Sequence, residues 1–275
     1  MKKSILSMLA IAAIAFGMAS CNGAKKANEA QTTEDSAVVA GNVPKDLLTV
    51  ELKQETTKLL EDMPSSDIPY RLSTGDIKIA VGNIKYMLPV SKAAELTTPA
   101  QKSRALGIYI ADINIQKVMK QPTTELESAI SKLAADLNVT SVLDILKEPM
   151  PVKTTKDELN TFMKNQEKKI VDKLAEENKM DVAVEIMGGA AAENACLLAN
   201  PSLVIKGDAT SAGLSDNMVK RIDILGQVIS DLSNYYPDLK QLSETIIPLK
   251  EKVATIQAAR AANADIMAIR DALVK

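Results

Sequence analysis

The chain has 275 residues, of which 46% are hydrophobic and 25% are charged, and its formal net charge is −2. This composition is typical of a soluble globular protein, and the near-neutral charge argues against a nucleic-acid partner. The chain contains no histidine and no tryptophan, and only 3% of its residues are aromatic. The missing histidine argues against a zinc centre and against a histidine-activated nucleophile.

Residues 1–20 are predicted to form an export signal. Lys2 and Lys3 precede the twelve-residue apolar run Ile5–Phe16, and small residues follow it. As a helix this run reaches about 18 Å, whereas a bilayer core is about 30 Å thick. The length therefore favours a cleaved signal peptide over a membrane-spanning helix.

The signal ends in GMASC, which resembles a bacterial lipobox and makes Cys21 the predicted site of lipid attachment. The alternative is an ordinary secretory signal that is cut near Ala19. Several acyl chains of the palmitate class on Cys21 would hold the protein on the membrane. Lys25 and Lys26 follow in place of acidic residues, which favours an outer-membrane location that faces the periplasm. Cys196 would then be the one remaining thiol, so no intramolecular disulfide is expected.

Residues 21–43 are small and polar, without a helical stripe, and are predicted to form a flexible tether. From Pro44 onward, apolar residues recur at helical spacing. We therefore predict an all-α bundle of about eight helices over residues 44–275. The proline-containing stretch EPMPVKTT marks a possible boundary between halves 44–150 and 151–275.

Four local patterns give specific expectations within this bundle. STGDIKIAVGNIKYMLP is predicted to be a helix that ends before Pro89, and Thr98 is predicted to cap a helix with Pro99 in its first turn. SLVIKGDATSAG is predicted to be a long loop. The last helix begins near Asp238 and is expected to kink at Pro248, with a 3-4-3-4-3 apolar seam.

The two halves also align with each other. Placing Gly107 on Gly188 places Asp112 on Glu193, with an offset of 81 residues. This alignment predicts two duplicated units of about four helices each. Gly107, Gly188 and Gly189 are predicted to allow close helix contact, because a glycine inside a helix costs about 1 kcal/mol and needs a reason.

Asp112 and Glu193 each lie on an apolar helix face, so both are expected to be at least half buried. One hypothesis is that the two acids form a functional pair in the bundle core, as cation ligands or as an acid–base couple. The structural reading, which we favour, has each acid cap a helix end or accept from a lysine, a tyrosine or backbone amides. Cys196 lacks an activating base and is predicted to be an inert buried thiol. No metal ion and no cofactor is predicted.

Three stretches carry a resemblance to a known family: RALGIYIADINI, LESAISKLAADLNV and VAVEIMGGAAAENACLLA. They resemble uncharacterised all-helical lipoproteins of the Bacteroides type, which pair an LG-[VI]-Y-x-x-D helix with a later GGW-x-E helix. This chain has Ile110 where glycine is usual and Ala190 where tryptophan is usual. The resemblance implies a helical fold and a lipid anchor but no particular activity.

We therefore expect a non-enzymatic, membrane-anchored envelope protein that binds a protein or small-molecule partner or acts as a scaffold. One alternative is a carrier of a lipid or small hydrophobic ligand, which predicts an apolar cavity of about 300 Å³ or more between the halves. Another is a metal-dependent or acid–base enzyme that uses Asp112 and Glu193.

Overall fold

The described part of the chain is almost entirely helical, and it belongs to one compact unit. A computed structural model describes residues 48–79, 86–151 and 155–275, and 73% of the structure is helical. The all-α prediction is confirmed. The predicted signal peptide, Cys21 and the tether lie outside the described residues. The helices are α1 (Val50–Asp62), α2 (Ile68–Thr74), α3 (Pro99–Val118), α4 (Thr124–Asp136), α5 (Ser141–Leu146), α6 (Lys156–Glu176), α7 (Met180–Ala199), α8 (Asp208–Leu232), α9 (Asp238–Ile246), α10 (Leu249–Lys252), α11 (Ile256–Ala261) and α12 (Asn263–Ala272), with a 3-10 helix at Val90–Ala94.

Two twenty-residue helices, α3 and α7, form the centre of the bundle. They make the most extensive helix contact in the described structure, and α3 comes from the first predicted half and α7 from the second. Helices α2 and α4 cover α3, whereas α6, α8, α9, α11 and α12 cover α7. The two predicted halves therefore share one core.

Helix α7 is apolar on nearly all sides because it is surrounded. Among the described residues only α7 is long and apolar enough to cross a membrane, and 94% of its most apolar stretch is buried inside the bundle. A helix that is hydrophobic all round belongs in a core when other helices enclose it. Its composition therefore reflects its central position.

Local sequence signals set several helix ends. Thr98 caps α3 as predicted: its side chain accepts from the backbone N–H of Gln101, and Pro99 occupies the first turn. Gln101 in turn accepts from the backbone N–H of Thr98 at 3.0 Å, which completes a capping box. This fixed start orients the polar residues farther along α3.

The helix predicted between Ser73 and Pro89 is wrong in its described part, and residues 80–85 lie outside the described residues. Helix α2 ends at Thr74, and Gly75 caps it with φ +75°. Ile77 and Lys78 then form β1 and pair antiparallel with β2, Val204–Ile205, within the stretch predicted to be a long loop. Such a ladder depends on a partner more than 120 residues away, which local periodicity does not reveal.

The predicted single C-terminal helix is also wrong, although its apolar seam is correct. The chain forms four short helices, α9–α12; Pro248 caps α10, and Thr255 caps α11 by accepting from the N–H of Ala258. All six seam residues are buried: Leu239, Leu242, Ile246, Leu249, Val253 and Ile256. The breaks let the segment bend around α7 and α8 where a straight helix would diverge from them.

Candidate functional site

Helices α3 and α7 touch through their backbones. A Cβ atom built on Gly107 would lie 1.9 Å from the carbonyl oxygen of Ile186, and one built on Gly189 would lie 2.0 Å from that of Arg104. Both distances are far below any real Cβ contact, so a side chain at either position would force the helices apart.

Gly188 serves a different contact. Its added Cβ would lie 2.8 Å from Leu242 Cδ1, a side chain of α9. The glycine of α7 that contacts the α3 backbone is therefore Gly189, whereas Gly188 contacts α9. A Gly-Gly doublet leaves open which glycine faces which neighbour.

The structure brings Asp112 and Glu193 together. Both side chains are 0% exposed, and their carboxyl groups interact directly across the α3–α7 contact. Arg104 meets Glu185 earlier along the same two helices, so α3 and α7 run in the same direction. This parallel arrangement places residues with a similar offset opposite each other.

The charge partner of the two acids is Arg270 of α12, a residue that the sequence analysis missed. Its Nη1 donates to Glu193 Oε2 at 3.1 Å and to the carbonyl oxygen of Tyr86, and it also pairs with Asp271. Arg270 is 3% exposed, whereas Asp271 is 43% exposed and faces solvent. We call Asp112, Glu193 and Arg270 the buried acid cluster.

A single proton accounts for the contacts in this cluster. Among the described residues, no N–H or O–H group donates to either oxygen of Asp112 or to Glu193 Oε1. Two ionised carboxylates would repel each other, whereas a protonated Asp112 donates to Glu193. Burial raises the pKa of Asp112 well above its ordinary value of 3.8, and the charge of Glu193 adds to this effect. With Asp112 neutral, Glu193 and Arg270 balance each other.

Tyr109 and Cys196 lie next to the cluster, and the structure gives neither a reactive partner. The Tyr109 hydroxyl donates to the carbonyl oxygen of Pro89 at 2.9 Å, and burial followed by the charge of Asp112 raises the pKa of Tyr109. The Cys196 thiol is buried and lies 3.7 Å from the carbonyl oxygen of Ile266. Burial raises the pKa of Cys196 well above its ordinary value, which disfavours the nucleophilic thiolate.

A second buried ion pair lies nearer the start of the same helices. Arg104 Nε donates to Glu185 Oε2 at 2.5 Å and Nη2 donates to Glu185 Oε1 at 3.1 Å, a bidentate geometry. Burial raises the pKa of Glu185, and the hydrogen bond from Arg104 opposes that rise. The sequence analysis did not assign this pair.

The sequence contained one indication that Arg270 is buried. Arg270 follows Ile266 by four residues and precedes Leu273 by three, so it lies on the apolar stripe of α12, and both neighbours are buried. An arginine on an apolar stripe implies a buried acidic partner. What the sequence lacked was the identity of that partner.

The interior between α3, α6 and α7 holds only a small cavity of about 30 Å³. Ile110 and Ala190, the two positions that depart from the resembled lipoprotein pattern, both line it. This cavity is far smaller than the roughly 300 Å³ expected of a ligand chamber. Two larger concavities, of about 800 and 500 Å³, are lined by residues from both predicted halves, and charged side chains line both of them.

The described residues contain no group of three or more Asp, Glu, His or Cys side chains placed to hold a metal ion. Within them, fold and site define an all-α bundle with one buried ion pair between its central helices, Arg104–Glu185, and another between α7 and α12, Glu193–Arg270. No family model, curated protein or solved structure matches the chain.

Proposed function

We propose that the chain is a lipid-anchored envelope protein whose helical domain binds a partner and does not catalyse a reaction. The observation that carries the non-enzymatic part of this proposal is the complete burial of Asp112 and Glu193 beside Arg270. An acid–base or metal-dependent enzyme must bring its carboxylates to a substrate, and these two contact only the protein interior. Their chemistry supports a structural role in joining α3, α7 and α12.

The enzyme alternative can be tested with a double variant, Asp112→Asn with Glu193→Gln. If the acids are structural, metal content measured by mass spectrometry stays unchanged and the melting temperature falls. The matched control changes two exposed acids, Asp144→Asn with Glu176→Gln, and should leave both unchanged. Loss of bound cation at full stability in the acid-cluster variant would contradict the proposal.

The anchor can be tested separately through Cys21. Its support is the lipobox-like GMASC sequence after a short apolar run. Full-length chain produced in a bacterial host should fractionate with the outer membrane and carry acyl mass on its first mature residue. Cys21→Ser should abolish the acyl mass and move the protein out of the membrane fraction. An unmodified mature N-terminus in the wild-type protein would refute the lipid anchor.

A carrier of a hydrophobic ligand is the second candidate, and one observation favours it. Two concavities of about 450 and 570 Å³ lie at the edge of the bundle, in the size range of small-molecule sites. Both have apolar side chains in their walls, and they share two lining residues, Lys117 and Met150. A carrier would use these edge concavities, because the cavity of about 30 Å³ between α3, α6 and α7 is too small for such a ligand.

A further inference from the structure

Lys117, near the end of α3, lines two neighbouring concavities. The smaller one is walled by Ile113, Ile130 and Leu146, and the larger one by Val118 and Leu159. Met150 also borders both. We call these two adjoining concavities the Lys117 groove. Apolar side chains line much of the smaller concavity, polar and apolar side chains line the larger one, and Lys117 borders both.

The Lys117 ammonium group has unused hydrogen-bonding capacity. It donates to the carbonyl oxygen of Leu146 at 3.1 Å, and no described carboxylate lies within 4.0 Å of it. An ammonium group has three donors, and this one is partly withdrawn from water. Burial lowers the pKa of Lys117, and the more distant charge of Glu127 opposes that shift. An anion at this point would supply the missing acceptor.

The charges around the groove favour an anion. The larger concavity is lined by Lys117 and Lys120, and its described lining contains no acidic residue. In the smaller concavity, Glu148 accepts from Lys169 at 2.7 Å and Glu127 accepts from Thr123 at 2.8 Å. Glu148 is therefore paired with a cation and Glu127 with a hydroxyl group, whereas Lys117 has a carbonyl partner but no described carboxylate within 4.0 Å.

A third concavity, between α1 and α6, provides a contrast. It has a volume of about 800 Å³, but lysines and acids alternate along its walls, and Lys168 beside it is paired with Glu61 and Asp172. Such a surface offers no preference for either sign of charge. Of these three concavities, the two that form the Lys117 groove combine apolar wall residues with a partly buried cation that has no carboxylate partner among the described residues.

We propose that the Lys117 groove binds a single-chain anionic amphiphile of the fatty-acid class. The carboxylate would accept from Lys117, with Lys120 adding positive charge, and the chain would lie along the apolar walls. The two concavities have volumes of about 450 and 570 Å³, each within the range of small-molecule sites. This inference rests on the proposed binding function and names its ligand.

The test is calorimetric titration of sodium laurate, below its micellar concentration, into the full chain carrying Cys21→Ser. The chain with an unchanged Lys117 groove should bind laurate at one site, and Lys117→Met should raise the Kd for laurate by tenfold or more. The matched control is Lys102→Met on the same helix: Lys102 is also partly buried, but it is already paired with Asp136 at 2.8 Å. Its Kd should stay within twofold of wild type, and circular dichroism should show that both variants are folded.

Two further ligands test separately how much the charged head group and the acyl chain contribute to binding. Dodecanol keeps the chain without the charge, and butyrate keeps the charge without the chain; both should bind at least tenfold more weakly than laurate. Dodecanol binding as tightly as laurate, butyrate binding as tightly, equal losses in the two lysine variants, or no laurate binding would each overturn the proposal. The membrane location of the protein that retains Cys21 is measured in a separate experiment. The proposed lipid anchor and the proposed fatty-acid site can therefore fail independently of each other.

Discussion

Replacing Gly107 with alanine tests whether backbone contact between α3 and α7 holds the bundle together. The new Cβ would lie 1.9 Å from the carbonyl oxygen of Ile186, whereas carbon–oxygen contacts normally begin near 3.3 Å. The helices must therefore separate locally by about 1.4 Å. Alanine is the better helix former by about 1 kcal/mol, which works against the loss.

The cost of separating α3 from α7 should exceed the gain in helix propensity from alanine. Inserting atoms into a packed core costs about 1–3 kcal/mol when side chains can adjust, and here the obstacle is backbone. The displacement would also stretch the Arg104–Glu185 ion pair, which joins the same two helices. We expect the free energy of unfolding to fall by about 2–4 kcal/mol, and the melting temperature by about 5–15 °C for a domain of this size.

The assay is thermal and urea unfolding followed by circular dichroism. Gly226→Ala is the matched control, because its Cβ would meet only Ile247 Cδ1, at 2.5 Å, on a side chain that is 40% exposed and can rotate away. It should be neutral or up to about 1 kcal/mol more stable. If Gly107→Ala proves as stable as Gly226→Ala, the close-contact argument is wrong.

Three further predictions concern the buried acid cluster and the thiol beside it. Asp112→Asn should leave the free energy of unfolding at pH 7 unchanged or raise it, because an amide can still donate to Glu193 and needs no proton from solvent. Glu193→Gln should lower the free energy of unfolding by about 3–5 kcal/mol because Arg270 loses its buried carboxylate. A loss in Asp112→Asn as large as that in Glu193→Gln would contradict the assignment of the proton to Asp112. Because burial raises the pKa of Asp112 above 3.8, the folded chain retains a proton that the unfolded chain releases above about pH 4. The contribution of this proton to stability is therefore complete at low pH and is lost as pH rises, by up to about 1.4 kcal/mol per pH unit. Urea unfolding between pH 5 and 9 should therefore show that the free energy of unfolding declines less steeply with pH in Asp112→Asn than in wild type. Cys196 should react with a thiol reagent such as DTNB only as fast as the domain unfolds, and rapid labelling of the folded protein would show that the thiol is accessible.

Local patterns in the sequence were sufficient for the fold class and for the burial of its key residues. The 3.6-residue periodicity specified helices because each buries one apolar stripe, and the Thr98 cap followed from its own four-residue neighbourhood. The acids on α3 and α7 were expected to be buried because their neighbours on the helical wheel are apolar. These inferences require only residues within a few turns of each other.

Partners that are distant in sequence were decided by the tertiary structure. Arg270 reaches Glu193 across 77 residues, Ile77 pairs with Ile205, and Gly189 faces α3 while Gly188 faces α9. The sequence predicted that the buried carboxylates need compensation, but several lysines, tyrosines and backbone amides could have supplied it. Packing selects one partner because only one arrangement brings the helices into contact and leaves the buried charges balanced.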